Sequence, residues 1–219
     1  MKELSVTMQP QRTYLPAAGK DSFLPLYDLM TRLMGADKAR IELLDRAKIR
    51  PGHRVLEVGC GTGSLLIQLK RLCPDTEVVG LDPDPKALAR ARRKAARAAV
   101  SVQLDRGFGD ELPYAEASFD RVLSSLMFHH VPTEEKGKTL RAIRRVLKPG
   151  GEFHMLDFEG AEKGAHGFLA RFLHSSDRLK DNSESRVLGF MKEAGFADPK
   201  KVADRTMLFG HIAYYRAIA

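Results

Sequence analysis

The sequence predicts an α/β fold: a doubly wound, mostly parallel sheet of seven strands, finished by an antiparallel C-terminal hairpin and preceded by a helical cap. Two observations predict it. Short apolar runs alternate with segments of helical period, the pattern of successive βαβ units. The first of these runs, Arg54–Val58, opens directly into Gly59-Cys60-Gly61-Thr62-Gly63 and then a helix, the strand–loop–helix order of a nucleotide half-site.

The elements follow in order. After the glycine loop, Ser64 to about Leu72 carries Leu65, Leu66 and Leu69 on one helical face. Glu77–Leu81 reads as the second strand, ended by Asp82-Pro83. Asp84 reads as an N-cap with Pro85 at the first helical position, which makes 85–98 a helix. Val100 to about Leu104 and Phe119–Ser125 are the third and fourth strands. Thr133 is placed to cap a helix that runs to Leu147 and stops at Pro149-Gly150-Gly151. Glu152–Phe158 is the fifth strand. Residues 159–183, with Gly160, Gly164 and Gly167, break the rhythm and read as an insertion. Ser183 precedes a last helix, 184–194, and 202–208 with 211–218 form the hairpin. Tyr14 to about Leu44 reads as one or two helices over the carboxyl edge of the sheet.

The 219 residues are 43% hydrophobic and 29% charged, which suits one globular domain and excludes a disordered or fibrous chain. Its expected parts are a cap (1–50), a core (53–158), the insertion (159–183) and a C-terminal helix and hairpin (184–219). No apolar run approaches the roughly 20 residues of a membrane span. The polar start, MKELSVTMQPQRTY, has no apolar signal core. Two cysteines, Cys60 and Cys73, make no disulfide framework and no metal-ligand cluster, so a cytoplasmic location without metal is expected. Net charge is +8, and between Lys86 and Arg97 stand six basic residues (Lys86, Arg90, Arg92, Arg93, Lys94, Arg97) and no acidic one. This run reads as a solvated helix face, with peripheral contact to an anionic membrane as the alternative.

The chemistry concentrates at strand ends. Glycines let a loop approach a ligand closely, and Asp82, 19 residues after Gly63, is placed for a ribose diol. Glu57, two residues before the first glycine, would repel a pyrophosphate and attract an ammonium group. The glycine spacing also departs from the dinucleotide GxGxxG pattern.

Val55-Leu-Glu-Val-Gly-Cys-Gly-Thr-Gly-Ser-Leu65 resembles the first motif of class I S-adenosylmethionine-dependent methyltransferases, enzymes of Rossmann-like fold. Val79-Gly-Leu-Asp-Pro83 resembles their acidic second motif, Leu112–Val122 the block leading into strand four, and Val146–Glu152 the turn before strand five. Within that family the chain is similar to the ubiquinone/menaquinone-type C-methyltransferases and to small-molecule and phospholipid methyltransferases. The resemblance implies S-adenosylmethionine as cofactor. It implies that Glu57 and the backbone of Gly59, Cys60, Gly61 and Gly63 hold the methionine part, Asp82 the ribose, and Pro83 the adenine. Ser125 and Leu126 then line the methyl side, and Tyr27, in Phe23–Asp28, covers the cofactor. One departure stands out: Phe108, followed by Gly109, occupies the place of the family's adenine-binding Asp, with Asp110 and Asp105 as nearby candidates.

His129 and His130 follow strand four, where an acceptor meets the methyl group, so either is a candidate general base or a polar wall. His154, in mid-strand, reads as a satisfied core residue, and Cys60 as a small loop residue. Phe168, Phe172 and Phe190 are either core or the lining of an apolar acceptor pocket. The expected acceptor is a small or lipid-like molecule. RNA-directed methylation and cofactor binding without catalysis are the alternatives; no aromatic stacking platform or appended RNA-binding module is present to favour nucleic acid.

Overall fold

A computed structural model describes residues 35–160, 180–207 and 210–219. The expectations for Tyr27, for Phe168 and Phe172, and for most of the cap and insertion lie outside these residues.

The described elements are α1 (Ala36–Ala47), β1 (Arg54–Val58), α2 (Ser64–Leu72), β2 (Glu77–Asp82), α3 (Pro85–Arg97), β3 (Gln103–Arg106), β4 (Phe119–Ser125), α4 (Thr133–Val146), β5 (Leu147–Phe158), α5 (Glu184–Glu193), β6 (Ala197–Met207) and β7 (Gly210–Ile218). Single 3-10 turns at Phe128–His130 and Lys180–Asn182 precede α4 and α5. The seven strands form one sheet in the order β3-β2-β1-β4-β5-β7-β6. β1 to β5 pair in parallel, and β7 runs against both β5 and β6.

Both faces of the sheet are covered, because successive strand residues point to opposite sides. Val55, Leu123, Leu156 and Tyr214 join Leu43 of α1, Leu65 and Leu69 of α2 and Leu88 of α3 in one apolar layer. Leu56, Val122, Phe153 and Met155 join Leu140 and Ile143 of α4 and Met191 of α5 in the other. A fully buried Leu or Phe contributes roughly 1.5–3 kcal/mol and a surface ion pair about 0–1 kcal/mol, so these layers hold the fold together.

Several elements differ from the sequence reading, each for a local reason. α1 lies on a sheet face rather than over the carboxyl edge, since Ala39, Leu43 and Ala47 are its apolar side. β3 is displaced to 103–106 because its pairing runs from Val79↔Gln103 to Asp82↔Arg106, level with the end of β2 and not centred on the apolar run. The helix before Pro149-Gly150-Gly151 ends at Val146, one residue short of the expected Leu147, but β5 starts at Leu147 rather than Glu152, and these residues form an irregularity within it, where the register jumps between Phe119↔Leu147 and Arg121↔Glu152. β6 starts five residues early as a polar, twice-irregular edge strand. Asp84 caps α3 as expected, accepting from the Lys86 N–H at 2.8 Å. Thr133 is not the cap: Pro132 stands at the cap position, Thr133 is already the first helical residue of α4, and its hydroxyl donates to the Asp181 carboxylate. Ser183 holds the cap position of α5 without a side-chain capping bond to a helix N–H; its hydroxyl meets that of Ser185 at 3.4 Å instead.

Candidate active site

After β1 the chain turns to one face of the sheet and after β4 to the other, so the carboxyl ends of these neighbouring strands flank a crevice. Among the described residues a cavity of about 390 Å³ opens there.

One half of it is backbone. The Gly59 and Cys60 N–H groups both donate to the Leu81 carbonyl, at 2.8 and 3.0 Å, and Gly63 N–H donates to the Cys60 carbonyl. The Asp82 carboxylate accepts from Gly61 N–H at 2.8 Å and from Asp84 N–H at 2.9 Å, which ties the glycine loop to the end of β2. Glycine is required where this loop crosses β4: Gly59 has φ +74°, and a Cβ there would lie 2.2 Å from the Met127 Cγ. Gly63, at φ +73°, is a packing glycine instead: a Cβ there would lie 3.0 Å from the Ala91 Cβ of α3, and it does not line the cavity. Lys94 of α3 closes this half from outside, donating to the hydroxyls of Thr62 (3.1 Å) and Ser64 (2.7 Å).

Two carboxylates face this half. Glu57 is buried, 3% exposed, and its Oε2 has no hydrogen-bond partner among the described residues. Burial pushes its pKa up to about 8, eased by the Arg40 charge and reinforced by Asp82. Asp82, also buried, is pushed up to about 6, against the pull of its two backbone donors. An orphaned carboxylate oxygen in a closed site suits a cationic ligand, and Asp82 keeps lone pairs for hydroxyl donors.

The other half is made of side chains from the end of β4 onward. Ser125 Oγ is buried and has no partner among the described residues, Leu126 holds a left-handed φ of 56°, and Met127, Val131 and Pro132 line an apolar wall. His130 reaches the cavity and His129 does not. His129 is 3% exposed and is held behind the wall, with Nδ1 2.5 Å from Asp157 Oδ1 and its N–H donating to Asp157 Oδ2 at 3.0 Å. Of the predicted residues, Glu57, Gly59, Cys60, Gly61, Asp82, Pro83, Phe108, Gly109, Ser125, Leu126 and His130 meet at the cavity. Cys60 is buried, its thiol pushed well up by burial and the nearby carboxylates, which makes it inert. Of the adenine-side candidates, Asp110 lines the cavity, while Asp105 accepts from the Tyr114 hydroxyl at 2.9 Å. His154 is indeed satisfied in the core, with Nε2 2.9 Å from Glu152.

Sequence reasoning missed Arg40, Lys94, Glu135 and Met127. Arg40 lines the cavity from α1, a helix that no motif marks. Lys94 had a signal: seven residues after Ala87 and three after Ala91, it borders the buried stripe of α3.

A family model described as a methyltransferase domain matches residues 55–151. A demethylmenaquinone methyltransferase from Deinococcus radiodurans is 32% identical over 206 residues, covering 90% of this chain and 85% of the relative. The chain belongs to the S-adenosylmethionine-dependent methyltransferases of class I. A ubiquinone/menaquinone biosynthesis C-methyltransferase from Vibrio campbellii is 30% identical over 80% of this chain and 77% of its own length. Among solved structures, an S-adenosylmethionine-dependent methyltransferase from Aquifex aeolicus shares the fold, with TM-score 0.66 and 19% identity over 82% of this chain and 88% of that one. The methyltransferase cofactor carries an ammonium group, a ribose diol and a sulfonium, and the orphaned Glu57 oxygen, the free lone pairs of Asp82 and the close-approach glycine loop fit it.

Proposed function

We propose that this methyltransferase methylates a ring carbon of a quinol-type acceptor, small or lipid-like, with His130 as general base. The observation that carries this reading is the second half of the cavity, where one imidazole stands in the apolar wall of Leu126, Met127, Val131 and Pro132. The names of the Deinococcus and Vibrio relatives, which cite menaquinone and ubiquinone chemistry, support it.

When bound, the cofactor supplies a methyl group activated on a sulfonium. In this reading Glu57 holds its ammonium group and Arg40 its carboxylate, with the Gly59–Gly61 backbone beneath. Asp82 takes the ribose hydroxyls, while Pro83, Phe108 and Asp110 bound the adenine end. Ser125 and Leu126 align the acceptor for in-line displacement, which depends above all on positioning. His130 would take the acceptor's hydroxyl proton, which makes the ring carbon nucleophilic toward the methyl group that the cofactor would supply. After transfer the ring hydrogen would leave to solvent as a proton, and His130 would return the hydroxyl proton.

The test is methyl-labelled S-adenosylmethionine with a reduced, demethylated prenyl naphthoquinone, run beside lipid, polar-metabolite, RNA and protein fractions of a cell extract. Label on the naphthoquinol supports the reading. Label confined to RNA, or none anywhere while cofactor binds, replaces it with RNA methylation or with a non-catalytic binding role.

A further inference from the structure

The two halves of the cavity meet where Met127 crosses the glycine loop. For a Cβ built on Gly59 the three nearest heavy atoms all belong to Met127: its Cγ at 2.2 Å, its Cβ at 2.8 Å and its Sδ at 3.4 Å. The closest contact is therefore with the root of the side chain and not with its outer end. That root is fixed by the backbone on both sides. The Leu126 N–H donates to the Leu156 carbonyl at 2.8 Å, and the Met127 carbonyl accepts from the His130 N–H at 2.8 Å. Leu126 holds a φ of 56° between these bonds, a conformation that a leucine keeps only where its surroundings impose it. Met127 also packs on the apolar layer that contains Val58, Leu112 and Leu140, and it lines the cavity beside Gly59, Ser125 and His130.

We propose that Met127 sets the size of the group this site admits on the cofactor's sulfur, its Cβ–Cγ root forming a wall that clears a methyl and excludes an ethyl. This rests on the reading of Glu57 and the Gly59–Gly61 backbone as the seat of the cofactor's methionine part, with the ribose at Asp82. In that reading the cofactor's own covalent order puts the sulfur between those two parts. Its third substituent then points to the end of β4, where Ser125, Leu126 and Met127 stand. Ser125 is short, and Leu126 packs against the opposite apolar layer, with Leu65 and Leu156. Met127 is the one of the three that lies on Gly59. A methionine touching the loop only with its thioether end would swing aside, since its torsions are free to turn. One held at its root does not, and a single added methylene in a close-fitting pocket changes affinity by about 10–200-fold.

Calorimetry with S-adenosylmethionine and its ethyl counterpart, S-adenosylethionine, tests this without any acceptor, so a failed naphthoquinol assay and a failed proposal are told apart. The wild type is expected to bind the methyl compound at least about tenfold more tightly than the ethyl compound. Met127→Ala, which removes Cγ and Sδ, is expected to bring the two affinities within about threefold. Met127→Leu, which keeps a Cγ in nearly the same volume, is expected to keep the preference. The readout is a ratio within each protein, so a change in overall affinity, which reports on the seat at Glu57, does not mimic it. Equal affinity for the two compounds in the wild type overturns the proposal even if neither variant folds. A preference undiminished in Met127→Ala, with S-adenosylhomocysteine binding to show the variant folded, overturns it equally.

Discussion

The half of the cavity at the ends of β1 and β2 is backbone stitched to backbone, whereas the half beyond β4 is side chain held by side chain. In the first, Leu81 and Asp82 fix the glycine loop through main-chain N–H groups, so its shape depends on glycines and one carboxylate. In the second, His130 is placed by His129, His129 by Asp157, and the turn by Lys136 and Asn182. A backbone-built site serves a ligand that does not change. A side-chain-built site is altered by single substitutions, and so suits the part of a reaction in which the partner differs from enzyme to enzyme.

The largest expected effect separates the halves. His130→Ala is expected to lower single-turnover methyl transfer by about 10²–10⁴-fold, the usual worth of a general base, with S-adenosylhomocysteine affinity within about twofold by calorimetry. Equal losses in both would break the division. Asp82→Ala is expected to do the reverse, weakening S-adenosylhomocysteine by roughly 100-fold. It removes charged hydrogen bonds worth about 1.5–3 kcal/mol each and frees the loop at Gly61 and Asp84; a change below threefold would refute its role.

Smaller effects sharpen the contrast. Glu57 is raised from 4.5 to about 8 and Asp82 from 3.8 to about 6. For acids raised on folding, the ligand-free protein holds its protons more tightly than the unfolded chain does. Its stability is therefore complete at low pH and is lost as pH rises, between 4.5 and 8 for Glu57 and between 3.8 and 6 for Asp82. An ammonium-bearing ligand favours ionised Glu57, so the melting-temperature gain from S-adenosylhomocysteine should widen from pH 5 to pH 8. Glu57→Gln should flatten the ligand-free pH profile and weaken the ligand about 10–100-fold, one charged contact being lost. A gain that narrows with pH would contradict this. Gly59→Ala should cost more than about 1–2 kcal/mol in denaturant unfolding, the left-handed backbone's share, because its Cβ must also displace Met127. The smallest effect concerns the outside of α3, where Arg92, Arg93 and Arg97 are exposed. If this face touches an anionic membrane, Arg93→Glu with Arg97→Glu should reduce retention on vesicles containing anionic lipid, each basic residue being worth about 1 kcal/mol. Equal retention of both proteins would remove the membrane from the picture.

The same division explains what the sequence made legible. Backbone-built features leave local marks: Gly59, Gly61, the Asp82 that ends β2 and the Asp84-Pro85 helix start are each dictated by φ, close approach or capping within a few residues. The parallel strands were legible from their apolar runs, though β3 was misplaced because an edge strand is set by pairing and not by its own hydrophobicity. Side-chain-built features leave no local mark. Lys136 meets Asn182, and His129 meets Asp157, only after α4, β5 and the turn before α5 have packed, so the different fates of His129 and His130 could not be read from the adjacent pair. Gly63, grouped with the loop by its motif, packs against α3, because a glycine that admits a ligand and one that admits a neighbouring helix look alike in sequence.

Asn182 does more than hold Lys136. Its carbonyl accepts from the Gly160 N–H at 3.1 Å, and its side-chain amide donates to the Phe158 carbonyl at 3.1 Å. One residue thus ties α4, the end of β5 and the turn before α5 together, through both its side chain and its carbonyl. Because a buried partner left unpaired costs more than a bond gains, losing this one amide strands a lysine and a carbonyl at once, so the far rim of the sheet is as stable as a single asparagine allows.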